Sequence, residues 1–200
     1  MPKWASALFD LPPIGFCNEF LLGSKYVRKT VIKQRFFMVV FSVKLLCFKF
    51  ACVGMRLVSA CLVGVKCNFE GKNWLNPKLF EDFTKGDLFP VCPEVLGGLP
   101  VPRVPAEIKG GDGSDVLNGQ AKVVNEVGVD VTRQFIKGAS EVLRIAQSIS
   151  AKEALLTEKS PSCGCGVIFD GTFSNKFIEG KGVTAALLEK NGVKVTSIKV

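Results

Sequence analysis

Histidine is absent from all 200 residues. That removes imidazole as a metal ligand, as a general base and as the partner of a serine or cysteine nucleophile. Thiol chemistry in this chain must run on thiolates, carboxylates, hydroxyls, lysines or a metal. No Cys-x-x-Cys pair occurs among the eight cysteines, so the close ligand pairs of a zinc ribbon are missing. There is no clean secretory signal, and 48% of the chain is hydrophobic. Disulfide-dense scaffolds are mainly small secreted domains with little core, so reduced thiols in the cytoplasm are expected. An excess of one charge is also scarce where it would matter. Of 26 Lys+Arg and 18 Asp+Glu, 8 and 2 fall within residues 1–55, which leaves 18 against 16 for the rest. A basic face for nucleic acid therefore has little support.

Residues 1–54 read as an extension unrelated to the remainder of the chain. Residues 1–55 hold eight of the sixteen Phe and the only Tyr, and an apolar run from Phe36 to Val53 is broken by Lys44 and Lys49. Two internal lysines make a poor membrane helix, and so long a leader argues against a signal peptide. The reading preferred is that the true start is Met55 and that residues 1–54 are a mis-assigned start or a poorly ordered tail; a membrane anchor is not expected.

From Met55 the pattern becomes regular. Arg56–Ala60, Leu88–Val91, Glu153–Thr157 and Val193–Ile198 read as strands, with Pro93 ending the second and Val167–Asp170 as a hairpin arm. Asn76-Pro77 starts a helix to Thr84, because Asn suits the cap and Pro the first helical position. A longer helix runs from Asp130 to about Ser150, where Phe135, Ala139, Val142, Leu143 and Ala146 recur at helical spacing. Gly182–Gly192 is a further helix closed by Asn-Gly. Gly97–Gly113, with three prolines and five glycines, reads as an ordered loop. Strands alternating with helices predict one α/β domain over residues 55–200, three layers with a mostly parallel sheet.

Three stretches share one build: a short apolar run ending at a cysteine. They are Leu57–Cys61, running on to Cys67; Leu88–Cys92, followed by Pro93-Glu94; and the run before Ser160-Pro161-Ser162-Cys163-Gly164. Pro161 and the glycines predict a tight turn that exposes Cys163 to an inorganic ligand. If the runs are neighbouring parallel strands, their carboxyl ends face one crevice, and Cys61, Cys92 and Cys163 meet there. Thiolates on separated loops fit an iron–sulfur cluster better than a zinc ribbon.

The motifs Val58–Gly64, Cys92–Pro100, Pro102-Arg103, Pro105–Ile108, Gly110–Gly113, Ser160–Gly164 and Asp170–Phe173 resemble, in order, those of a small bacterial domain family whose members include thiouracil desulfidases. The resemblance spans about residues 56–198. It implies a [4Fe-4S] cluster held by Cys61, Cys92 and Cys163, with one iron open to the substrate's sulfur. It also implies a desulfidase acting on a thiocarbonyl heterocycle such as 2-thiouracil. Cys67 occupies the place of the family's further cysteine, whereas Cys165 departs from the motif. A small thiolated heterocycle is then the only partner required, and the oligomeric state is left open.

Such a reaction needs a carboxylate to move protons. Glu94, two residues past Cys92 on an extended turn, is the first candidate, since apolar burial of a carboxyl favours its protonated form. Ser160 is a second catalytic candidate. Ser162, Asp112 and Arg103 are candidates for substrate binding. The alternative is a non-catalytic zinc or iron–sulfur domain with a structural, sensing or sulfur-handling role.

Overall fold

The computed structural model describes residues 54–200. The extension expected over residues 1–54 lies outside them, Gly54 apart. Four strands form one parallel sheet: β1 (Arg56–Ser59), β2 (Leu88–Val91), β5 (Glu153–Thr157) and β8 (Lys194–Ile198), in the order β2-β1-β5-β8. The chain leaves β1 towards one edge and leaves β5 towards the other. The order therefore reverses between β1 and β5, and their carboxyl ends open a crevice.

Alternation along the strands sends side chains to two cores. Leu57, Val91, Ala154 and Leu156 pack on Val142 and Ala146 of α4 (Thr132–Ser148) and on Ala185 and Leu188 of α5 (Val183–Lys190). Val58, Leu88 and Leu155 face the other way, onto the 3₁₀ turn Ala60–Val63 and Leu79 of α1 (Pro77–Thr84). Both faces are thus covered, giving three layers. Asn76 caps α1 as its sequence suggests, its Oδ1 accepting from Leu79 N–H at 3.2 Å.

The stretch read as irregular contains more structure than expected. Pro93 does not merely end a strand; it opens a one-turn helix, α2 (Pro93–Leu96). β3 (Ala106–Lys109) and β4 (Lys122–Asn125) form an antiparallel hairpin joined by α3 (Gly113–Leu117). Ile108 and Val123 of this hairpin meet Phe135 and Ala139 of α4 in a third core. A second hairpin pairs β6 (Cys165–Phe169) with β7 (Phe177–Lys181). Among the described residues no helix is long and apolar enough to cross a membrane.

Helix α2 lies hard against α4. A Cβ at Gly138 would stand 1.9 Å from the Pro93 carbonyl oxygen, and one at Gly97 would stand 2.1 Å from that of Gln134. Both obstacles are backbone and cannot swing away. Gly138→Ala is therefore expected to cost about 3 kcal/mol in urea unfolding, at the upper end of overpacking costs, and to displace the turn that begins at Cys92.

Candidate active site

The carboxyl ends of β1 and β5 are tied together beyond their ladder. Ser59 Oγ accepts the Thr157 N–H at 3.0 Å, and Thr157 Oγ1 lies 3.3 Å from Cys61 Sγ. Cys61 follows in the 3₁₀ turn. The loop after it folds back on that turn, with Trp74 N–H donating to Cys61 O at 3.0 Å and Asn76 N–H to Leu62 O at 2.8 Å. This return places Cys67 next to Cys61. Cys92 caps α2, and its Sγ faces the Cys67 carbonyl at 3.7 Å.

Cys163 arrives on a turn docked at the start of α5. The carbonyls of Pro161, Ser162 and Gly164 accept the N–H groups of Val183, Thr184 and Gly182 at 2.9, 2.9 and 2.8 Å. These include first-turn donors that have no partner within the helix. Ser160 Oγ accepts the N–H groups of both Ser162 and Cys163 at 3.1 Å. Among the described residues its own O–H has no acceptor and can donate.

Cys61, Cys67, Cys92 and Cys163 line one cavity of about 410 Å³, together with Glu94, Arg103 and Ser160. The three cysteines expected to converge do so, and Cys67 joins them. Their protonation differs in a way the contacts explain. The Cys67 thiol donates towards Cys61 and Cys92, which lowers both; Cys92 comes down to about 7 against the opposing effect of burial. The Val95 N–H of α2 contributes in the same direction. Cys67, as the donor, is held well above the usual thiol range. Burial pushes Cys163 up, with Ser59 acting against it. Among the described residues no three His, Cys, Asp or Glu side chains are placed to hold a single metal ion.

The other candidates divide. Glu94 faces the cavity, but the apolar setting expected for it is absent: Arg103 Nε donates to Glu94 Oε2 at 2.6 Å. Arg103 also lines the cavity, and its Nη1 donates to the Cys67 carbonyl at 3.0 Å. It braces the Cys67 loop and orients Glu94. Ser162 is turned away, fully buried and hydrogen-bonded to Thr184 Oγ1 at 2.9 Å. Asp112 is a helix cap, its Oδ1 accepting from Ser114 N–H at 2.7 Å within a capping box on α3. Neither Ser162 nor Asp112 lines the cavity, and the side-chain hydrogen bonds of both are made within the protein.

Cys165 is outside the thiol group; its Sγ faces Glu189 at 3.6 Å, and burial with that carboxylate raises it. Residue-by-residue reading passed over Thr157, Ser59, Asn68 and Glu107, all of which line the cavity.

A family model described as 2-thiouracil desulfurase matches residues 57–199. The chain belongs to the 2-thiouracil desulfurase family. Among its relatives, the uncharacterised protein YbbK of Bacillus subtilis (strain 168) is 48% identical over 143 residues, covering 72% of this chain and 95% of YbbK. A solved structure, the [4Fe-4S]-dependent thiouracil desulfidase TudS, is 39% identical and superposes with a TM-score of 0.64 over 72% of this chain and 89% of that one. The fold that carries the parallel four-stranded sheet matches that of this solved relative, and four thiols of this chain gather in the cavity at the sheet's carboxyl edge.

Proposed function

We propose that the chain removes sulfur from a thiocarbonyl heterocycle of the 2-thiouracil class, in the cytoplasm, with residues 55–200 forming the working domain. The reading is carried by the four thiols that three separate loops deliver to one cavity beside a carboxylate. Its balance is non-redox: the C=S compound and water give the C=O compound and hydrogen sulfide.

The cavity fits an iron–sulfur cluster. Its donors are thiols without imidazole. Asn68 Nδ2 is buried at the cavity without an acceptor among the described residues, and such a donor beside a cluster suits hydrogen bonding to sulfur. One tetrahedral ion would need its sulfurs roughly 4 Å apart, whereas a cluster spreads its thiolates over separate irons. Cys61, Cys92 and Cys163 would hold it, with Cys67 as a neighbouring thiol. When bound, the cluster supplies a soft Lewis acid with affinity for thiocarbonyl sulfur.

The chain supplies the rest. Glu94 Oε1, left free by the bond from Arg103 to Oε2, takes a proton from the attacking water and delivers it towards the departing sulfur. Arg103 fixes the carboxylate in one orientation, so that the proton moves without a search. Ser160 Oγ–H donates to the oxygen that forms on the ring. The apolar walls around the thiols exclude bulk water and strengthen each of these contacts.

Protein reconstituted anaerobically with iron and sulfide is expected to convert 2-thiouracil to uracil with release of one sulfide per uracil, read by a sulfide assay and chromatography. Protein loaded with the cluster that leaves 2-thiouracil intact would refute the proposal.

A further inference from the structure

Besides Glu94, the cavity is lined by Glu107, Glu126 and Glu158, and of these only Glu107 is buried. Glu107 sits on β3 between Ala106 and Ile108, and Ile108 belongs to the core. Alternation turns Glu107 to the opposite face of the hairpin, where it lines the cavity. It is only 7% exposed. Burial of this degree is rare for an unpaired glutamate. Among the described residues its carboxylate accepts one hydrogen bond, from Phe173 N–H to Oε2 at 3.0 Å, and has no ion pair. Oε1 is left without a protein donor. Oε1 is not sealed in the protein interior, so a donor that enters the cavity can reach it.

The residue it holds is itself strained. Phe173 has φ +58°, in the left-handed region that a bulky side chain avoids. Strain of this kind persists where the surroundings impose it and gathers at functional sites. Two features impose it here. Glu107 pins the Phe173 N–H, and Gly171 (φ +85°) passes so close to β3 that a Cβ there would stand 2.4 Å from the Ile108 carbonyl. The outcome is an aromatic residue on the wall of the cavity, which Phe169 also lines, with Lys109 Nζ 5.9 Å from its ring centroid.

We infer that Glu107 and Phe173 form the part of the site that reads the substrate's ring, Glu107 Oε1 accepting a ring N–H and Phe173 covering the ring's face. The inference rests on the desulfidase reading and narrows it. The preferred ligand is a flat thiocarbonyl heterocycle that keeps an N–H beside the C=S carbon. Derivatives methylated on that nitrogen are rejected, because the methyl both blocks the acceptor and leaves it unpaired. Glu107 is thus a specificity-determining residue, distinct from the proton-moving Glu94.

The test uses full-chain reconstituted protein, with turnover of 2-thiouracil and calorimetric binding of uracil, which lacks the sulfur. Glu107→Gln keeps an oxygen for the Phe173 N–H. It is expected to raise both KM for 2-thiouracil and Kd for uracil about 10- to 100-fold, the range of a hydrogen bond to a charged acceptor, with kcat within about threefold. The unsubstituted protein should reject at least one mono-N-methyl-2-thiouracil by a similar factor, and the variant should lose most of that discrimination. Unchanged KM and Kd, or undiminished discrimination, would overturn the inference.

Phe173→Gly provides a second arm that does not depend on Glu107→Gln folding, since glycine suits the left-handed backbone. Its Tm should not fall, while Kd for uracil rises about 3- to 10-fold; an unchanged Kd also overturns the inference. If no sulfide is released by any form but uracil binding weakens in both variants, the desulfidase reading fails and the ring-reading site stands.

Discussion

Cys163→Ala is expected to yield a colourless protein. Reconstitution should load roughly four irons per chain in the parent, with broad absorption near 400 nm, and less than about one in ten of that in the variant. Sulfide release from 2-thiouracil should fall by at least about a thousandfold, because the soft Lewis acid is lost together with its cluster. The reason lies in where the three thiols come from. Cys61, Cys92 and Cys163 follow β1, β2 and β5, and no other cysteine near Cys163 in sequence lines the cavity. Cys165, two residues on, faces Glu189, and Cys165→Ala should leave iron content unchanged. The fold should survive both changes. Cys163 contributes its sulfur to a core that already contains Leu57, Ala185 and Leu188, and removal of one buried atom costs about 1 kcal/mol. A fully loaded, active Cys163→Ala protein would remove that cysteine from the site.

The convergence of those thiols was legible because each strand announces itself as a short apolar run that stops at a cysteine. Order in the sheet was the only further requirement, and the reversal between β1 and β5 supplies it. What stayed hidden had physical reasons. Pro93 can close a strand or occupy the first position of a helix, and only the contact of Gly97 and Gly138 across α2 and α4 decides for the helix. Ala106–Lys109 is framed by prolines and glycines that read as loop, although its Glu-Ile pair carries the alternation of a strand. Nothing local says that Glu107 is buried. The signal was available only as a glutamate beside a core isoleucine in a short strand, a pattern that ordinarily marks a solvated face. Asp112 misled for the opposite reason: Asp before Gly-Ser-Asp forms a capping box, and its other oxygen accepts the Lys181 N–H at 3.3 Å.

Glu94→Gln should retain the cluster and lose turnover. The amide still offers an oxygen to Arg103 Nε, so iron content and absorption are expected to match the parent. It cannot accept the proton of water, so kcat should fall about 10²- to 10⁴-fold, the usual contribution of a positioned acid–base group. The pair is largely buried, with side-chain exposures of 6% for Arg103 and 16% for Glu94. Loss of the charge on Glu94 therefore leaves a guanidinium short of compensation, and a stability loss of about 1–3 kcal/mol is expected in urea unfolding. Arg103→Lys separates the two effects. The guanidinium fork reaches both Glu94 Oε2 and the Cys67 carbonyl, which an ammonium cannot do. That variant keeps the proton acceptor but loosens its aim, and should lose about tenfold in kcat with a similar loss of stability. If Glu94→Gln keeps more than about a third of parental kcat, proton movement does not pass through Glu94, and Arg103 holds it only to brace the Cys67 loop against the thiols.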